Sequence, residues 1–290
     1  MHHFSKSDML VPFDGSFRVK KSHTTPPKDA PDEAEANLRL AEAVEDIAHL
    51  QKKLYADNRH ALLLVFQAID AAGKDGTIRA VLTGTNPAAC QVADFKSPSS
   101  EELSHDFLWR ISRELPKRGK IGIFNRSHYE EVLTVRVHPE FLAKQRLPHN
   151  GDDAKIWKHR YESIRAFEQH LSRNGTVILK FWLHVSKKEQ KKRLLARIDD
   201  PSANWKFEAG DLVERARWSD YMRIYEEMVS ETSRPWAPWY AIPADDKHYM
   251  RWAVADIVQR TLRKMDIDYP KLSKEETKQL QGMRAQLEKE

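Results

Sequence analysis

The sequence predicts an α/β fold: a parallel five-stranded sheet with helices on both faces. Three observations carry this. Five short segments, at residues 61–67, 90–95, 121–124, 176–185 and 239–242, read as strands. Between them lie segments of helical character, and strands alternating with helices imply parallel βαβ units. The first run, "ALLLVFQ", passes directly into a glycine-bearing turn, "AIDAAGKDGT", and then into a helix.

Each element has its own reason. Residues 1–31, with "TTPPKDAP", lack periodicity and are expected to form an extended arm. Over 32–58 apolar residues recur at Leu38, Ala41, Val44, Ile47, Leu50 and Leu54, the spacing of one buried helix face. Run 61–67 is continuously apolar, as a strand covered on both faces requires. Residues 76–82 read as helix. After the second strand, "SPSSEELSHDFLWRISRELP" predicts a helix capped by Ser99 or Ser100 and closed by Pro116. "KIGIFNRSHYEEVL" supplies the third strand and another helix start. "DDAKIWKHRYESIRAFEQHLSRNG" predicts a helix with an acidic start and a Gly175 stop. The fourth strand, the basic helix "SKKEQKKRLLARIDD" and a polar, Trp-bearing insertion follow; the last strand then precedes a helix over about 247–265. The chain thus divides into an arm (1–31), a main domain (32–270) with a lid-like insertion at about 199–234, and a helical tail (271–290).

The totals exclude several classes. No apolar run approaches the roughly 18 residues that span a bilayer, and residues 1–10 lack a signal-peptide core. A single Cys90 excludes an intramolecular disulfide framework and any Cys-based zinc cluster. A cytoplasmic protein without membrane partners is expected. Net charge of +5 suits a polyanionic or phosphorylated partner.

The turn after the first strand has the parts of a phosphate-binding P-loop: a strand, a tight glycine turn, a lysine and a helix N-terminus. Ala72, Gly73, Lys74, Asp75, Gly76 and Thr77 would form the anion cradle. Two places depart from the usual pattern. Ala68 stands where the first Gly belongs, and Asp75 replaces the Ser or Thr that would touch Mg²⁺. Asp70 adds a carboxylate inside the cradle. Like charges at about 4 Å repel by roughly 1 kcal/mol even in water, and a bridging divalent cation reverses that sign. Asp70 is therefore the candidate metal ligand in place of the missing hydroxyl.

At the end of the third strand, "FNRSHYEE" places Asn125, Arg126, His128 and Glu130 at the crevice where open α/β sheets bind ligands. Asn125 and Glu130 are further candidate metal ligands, and Arg126 a candidate phosphate contact. Arg193 and Arg197, four apart on one helix face, would close over a transferring phosphoryl group. In the insertion, Trp205 and Lys206 are candidates for holding a nucleotide. His128 is a further candidate on the nucleotide side.

"LLLVFQAIDAAGKDGTIRAVLTG", "IGIFNRSHYEEVLTVRVHPE", "RYESIRAFEQHLSRNGTVILKFWLHVSKKEQKKRL", "NWKF" and "PADDKHYMRW" together resemble the family-2 polyphosphate kinases, and "FNRSHYE" resembles their class III. The resemblance implies a three-layer α/β sandwich, P-loop nucleotide-kinase-like, with a helical lid. It implies reversible phosphoryl transfer between inorganic polyphosphate and AMP or ADP, with guanine nucleotides as further acceptors, dependent on Mg²⁺ or else Mn²⁺. It further implies that Asp70 binds metal, that Lys74 contacts phosphate, and that Arg126, Arg193 and Arg197 line the polyphosphate path. A homodimer or homotetramer is expected on the same ground, and no nucleic acid. Two rivals are an ATP-dependent nucleoside monophosphate kinase, against which the loop without Ser or Thr speaks, and a non-catalytic polyanion binder, for which Asp70 has no use.

Overall fold

The computed structural model describes residues 3–148 and 155–290. Five strands, β1 (Ala61–Gln67), β2 (Cys90–Asp94), β3 (Ile121–Asn125), β4 (Thr176–His184) and β5 (Trp239–Pro243), form one sheet in the order β2-β3-β1-β4-β5. All four pairings are parallel. Helices α1 (Glu33–Asp57), α2 (Lys74–Val81), α3 (Trp109–Arg113), α4 (Thr134–Val137), α5 (Pro139–Ala143), α6 (Ile156–Arg173) and α7 (Lys187–Asp199) are followed by α8 (Ala209–Ala216), α9 (Trp218–Thr232), α10 (Lys247–Lys264) and α11 (Lys274–Leu287).

Alternation along the strands splits the interior into two cores, because successive side chains leave opposite faces. Leu62, Leu64 and Phe66 of β1 meet Ile121, Ile123, Leu179, Phe181, Tyr240 and Ile242 against α1, α2 and α10. In this layer Phe66, Phe181 and Tyr240 stack across three strands, with centroids 5.1 and 5.8 Å apart. Leu63, Val65, Phe124, Ile178, Trp182 and Trp239 face α6 and α9. Gly122, on this second face, lies so close to Pro116 that a Cβ would come within 2.7 Å of the ring.

Lys180, in the middle of β4, projects into this second core with no exposure at all. Its ammonium donates to Glu168 Oε2 at 2.7 Å, Tyr129 Oη at 2.7 Å and the Thr232 carbonyl at 2.9 Å, so all three protons are used. The Tyr129 hydroxyl in turn donates to Glu168 Oε1 at 2.7 Å. Burial pushes Lys180 down to about 8, with Glu168 opposing it. Burial raises the Glu168 carboxyl, but Lys180 and His128 outweigh it and hold it below its ordinary value.

Three expectations are corrected. The segment around 99–115 is not one helix. Ser99 does cap, its hydroxyl accepting from the Glu102 amide while Glu102 returns to the Ser99 amide, but only over the 3-10 turn Glu102–Ser104. Asp106 then accepts from the Leu108 amide and starts a new turn that leads into the five residues of α3. Such local side-chain bonds compete with helix continuation. In α1 the buried face runs through Ala36, Ala43, Ile47, Gln51 and Leu54, and Leu38 is 62% exposed. The insertion is not all lid: α9 buries Tyr221, Ile224, Tyr225, Met228 and Val229 in the second core, whereas α8 buries nothing. The acidic start expected for α6, Asp152 and Asp153, lies outside the described residues.

The arm is extended, yet it is docked on the domain. Leu10 bridges Tyr240 in antiparallel fashion, the Val11 amide donates to the Trp239 carbonyl at 3.0 Å, and the Ala241 amide donates to the Met9 carbonyl at 2.8 Å. The otherwise open edge of β5 is thereby covered, which blocks edge-to-edge pairing. Further along, Ser22 Oγ meets His184 Nδ1 at 3.2 Å. His184 stacks on Trp182 at 4.3 Å, and burial pushes its imidazole from 6.5 down to about 4, with Asp245 opposing. The unfolded chain therefore binds the extra proton between these values, and stability present above pH 6.5 is lost as pH falls toward 4. The expected loss is up to about 3 kcal/mol. Urea titrations at pH 6.5 and 4.5 should show a smaller difference in His184→Asn; an unchanged difference would dissociate the effect from this residue.

Candidate functional site

β1 ends at Gln67 and the chain makes a tight turn before α2. Gly73 (φ +107°) and Ala71 (φ +62°) both adopt left-handed backbone. Gly73 has two reasons to be glycine, its φ and the 3.0 Å at which a Cβ would meet Met250 Cε. Ala71 has no such excuse; left-handed backbone costs an alanine about 1–2 kcal/mol, so the surroundings must hold it. Arg193 supplies the hold. Its Nη1 donates to the carbonyls of Ala72 (2.7 Å) and Ala71 (3.4 Å), and its Nη2 to those of Ala244 (2.6 Å) and Asp245 (3.1 Å). Gln190, one turn earlier on α7, donates to the Asp70 carbonyl at 3.0 Å.

Ala68 now has an account. It is not among the positive-φ residues, so an L side chain fits without strain, and its methyl belongs to the first core. Its carbonyl accepts from Lys74 Nζ at 2.9 Å, which draws the ammonium back across the turn. Burial lowers the Lys74 ammonium below its ordinary value; Asp70 opposes this and Arg126 adds to it.

The sheet register delivers the second half. Phe66 of β1 lies opposite Asn125 of β3, so the ends of the two strands are side by side. Arg126 follows in left-handed backbone (φ +60°), its amide donating to the Phe66 carbonyl at 3.1 Å. This turn aims its guanidinium at the loop, where Nη2 meets Asp70 Oδ1 at 3.2 Å. Asn125 Nδ2 donates to Asp75 Oδ1 at 2.9 Å, and Asn125 Oδ1 is buried without a partner.

That orphaned oxygen is the observation that fits a metal ion. A buried amide oxygen without a donor is costly, and it stands at the same strand end whose neighbour, Arg126, touches Asp70. No group of three His, Cys, Asp or Glu able to hold a metal occurs among the described residues. Such a sparse set suits a small hard cation, which takes one or two carboxylates and fills the remaining positions with water and phosphate oxygens.

The other expected residues are placed less uniformly. Glu130 accepts from Thr134 Oγ1 and lies in the field of Lys74. The Thr77 hydroxyl donates to the Gly73 carbonyl at 3.0 Å. His128 is not brought to the loop; it is buried against Tyr129, Phe167 and Glu168. Arg193, expected on the phosphate path, donates to backbone carbonyls and buttresses the loop. Arg197 reaches Asp211 of α8 at 3.4 Å. Trp205 is 74% exposed beside Lys206, whose ammonium stands 5.1 Å from the ring centroid, and the structure does not bring either to the loop. Gln190 was legible only as part of a basic helix, yet it links Arg215 of α8 (2.6 Å) to the loop carbonyl of Asp70.

A parallel sheet in this order, with an anion loop between β1 and α2 and a basic residue at the end of β3, defines a P-loop phosphotransferase. The family description "Polyphosphate kinase 2 (PPK2)" matches residues 30–270. The chain belongs to the polyphosphate kinase 2 family. It is 56% identical over 249 residues to an ADP-polyphosphate phosphotransferase of Rhodopseudomonas palustris, covering 86% of each chain. It is 47% identical over 221 residues to an AMP/ADP-polyphosphate phosphotransferase of Meiothermus ruber, covering 76% of this chain and 79% of the relative. The crystal structure of a polyphosphate kinase 2 from Arthrobacter aurescens superposes with a TM-score of 0.85 at 40% identity, over 93% of this chain and 94% of the other. No helix among the described residues is long and apolar enough to cross a membrane.

Proposed function

We propose that the protein transfers the terminal phosphoryl group of inorganic polyphosphate to AMP and ADP, with guanine nucleotides as further acceptors, with Mg²⁺ or Mn²⁺ bound at Asp70 and Asn125. The observation that carries this is a carboxylate inside the anion loop, set beside Lys74 and Arg126, with an unpartnered amide oxygen of Asn125 at the end of the neighbouring strand. A loop meant only to bind anions gains nothing from Asp70, whereas a metal-assisted transfer does. An ion held by Asp70 and Asn125 would supply charge neutralisation to the reacting phosphates.

The rest is done by the chain's own groups. The α2 N-terminus and Lys74 hold the terminal phosphate, and Arg126 reaches it from β3 once it leaves Asp70. A phosphate oxygen of the acceptor nucleotide attacks in line; the P–O bond to the penultimate phosphate breaks, and its electron pair stays on the polyphosphate, now one unit shorter. No covalent enzyme intermediate is required, since catalysis is positioning plus charge stabilisation. The stretch from Pro201 through α8 acts as the lid, tied to the loop through Arg215, Gln190 and Asp70. One relative named for ADP and one named for both AMP and ADP support these acceptors, and a homodimer or homotetramer is the proposed assembly.

The test is to incubate the protein with Mg²⁺ and long-chain polyphosphate and, separately, AMP, ADP, GMP and GDP. ADP and ATP are the expected products from the adenine acceptors. Absence of product with every acceptor overturns the reading, and turnover with ATP plus AMP but none with polyphosphate replaces it with an ATP-dependent kinase.

A further inference from the structure

Helix α8 buries none of its side chains, and its two large apolar residues, Leu212 and Val213, are more than half exposed, so apolar packing does not fix where it stands. Polar contacts on two sides do. Toward α7, Arg215 donates to the Lys187 carbonyl at 2.9 Å and to Gln190 Oε1 at 2.6 Å, and Asp211 meets Arg197. Toward the segment that follows β3, Glu214 in the last turn of α8 is held by His138, the residue between α4 and α5, and by the Tyr221 hydroxyl of α9. Arg217, at the corner between α8 and α9, donates to the Val137 carbonyl at 2.7 Å, next to that histidine. Burial first and then Asp70 raise the Asp211 carboxyl, so the start of α8 stands near the phosphate loop.

His138 is an unusual partner for a surface helix. It is only 6% exposed, and its ring stacks on Phe141 at 5.2 Å. Both nitrogens face carboxylates: Nδ1 lies 3.0 Å from Glu140 Oε1, and Nε2 lies 2.9 Å from Glu214 Oε1 and 3.0 Å from Oε2. Carboxylates only accept, so both contacts are hydrogen bonds together only with the imidazolium, which also balances the two negative charges. The Glu140 carboxyl is held below its ordinary value by its own amide and then by His138, with Arg217 adding to the effect. The contacts continue inward from Glu214. Tyr221, which donates to it, neighbours Thr134, and the Thr134 hydroxyl donates to Glu130. Glu130 lies in the field of both Lys74 and Arg126. A line of side chains thus runs from the corner of α8 to the site.

From these contacts we infer that His138 is the hinge brace of the lid, a positioning residue for the transfer: by gripping Glu214 it sets the angle at which α8 leaves α9, and so how closely the lid covers the loop. This rests on the phosphoryl-transfer reading above, in which closure excludes water from the reacting phosphates. The two sides of the hinge differ as a hinge requires. Helix α9 is packed into the second core and does not move, whereas α8 is held only by contacts that water can replace. With the brace released the lid stands open for more of the time, while the phosphate seats of the loop are unchanged.

Glu214→Gln and His138→Asn test it, alone and together. In each single variant kcat should fall about tenfold to a hundredfold, as expected when a reacting group is misplaced from a distance. Equilibrium binding of long-chain polyphosphate should stay within about threefold of the parent, because the loop is untouched. The amides of residues 209–216 should exchange with deuterium about tenfold faster or more, while β1 and β4 keep the parent's rates. The double variant should be no worse than the more affected single one, since one contact joins the two residues. A kcat within about twofold of the parent, unchanged exchange in α8, or losses that simply multiply in the double variant overturns the inference. If His138→Asn also loosens β1 and β4, Glu214→Gln decides alone: both its kcat loss and its faster α8 exchange are then required. Failure of the unsubstituted protein to use polyphosphate would instead overturn the functional reading, and exchange in α8 would still show whether His138 holds the lid.

Discussion

Replacing Asp70 by Asn is expected to lower turnover about a hundredfold to a thousandfold, the scale seen when one preorganised electrostatic partner of a transition state is removed. Stability should scarcely change. The Asp70 carboxylate and Arg126 are 30% and 40% exposed, and an ion pair so open to water contributes about 1 kcal/mol at most. The loop is held through the Asp70 carbonyl, which Gln190 grips, and that bond is untouched by the substitution. The variant also isolates the metal argument, since Asn keeps the shape and one oxygen but loses the charge. Equilibrium binding of Mn²⁺ in the presence of polyphosphate should weaken alongside turnover. Activity within about threefold of the parent at ordinary Mg²⁺ would remove Asp70 from the mechanism.

The largest effect on stability is expected at Glu168. Glu168→Gln leaves the fully buried Lys180 ammonium without a counter-charge, and breaking such a pair from one side costs about 3–5 kcal/mol. Lys180→Met should cost a similar amount by stranding the carboxylate. The double substitution removes both charges together and should recover much of the loss, because the penalty lies in the unpaired ion and not in the missing attraction. Denaturant titration of the four proteins closes the cycle. Single substitutions costing under about 1 kcal/mol, or a double variant as weak as the sum of the singles, would show that the pair is not coupled.

This network also shows where the sequence could be read and where it could not. "VILKFWLH" is plainly a strand, and a lysine in its middle is a visible oddity, but its partners come from α6, from Tyr129 in the 3-10 turn that follows β3 and from the end of α9. Four of the strands were legible because a doubly covered parallel strand is apolar along most of its length, whereas β2, at the sheet edge, is short and half polar. Asp70, Lys74 and Arg126 were legible because strand, glycine turn and helix follow one another locally. The loop-bracing contacts of Arg193 were not legible, for the converse reason. On a basic helix it looks like a cation waiting for phosphate, and only the fold reveals that its donors are spent on carbonyls about 120 residues upstream and 50 downstream. The left-handed backbone at Ala71 and Arg126 has no signature in the residue types, since neither is a glycine or an asparagine. The helix predicted at 99–115 failed because Asp106 offers the chain a turn that competes with helical bonding.

The docking of the arm has a consequence for how the molecule is made. Ser5 and Tyr240, joined by a hydrogen bond of 2.6 Å, are 235 residues apart. On a ribosome the arm emerges first, and the strand it covers emerges among the last parts of the domain. Synthesis at about 5–20 residues per second leaves the arm without a partner for tens of seconds. For that interval the segment bearing Val11 and Phe17, both buried in the finished protein, is an open apolar end. Its docking reports that the whole sheet is present: a chain broken off before Trp239 cannot be closed at this edge.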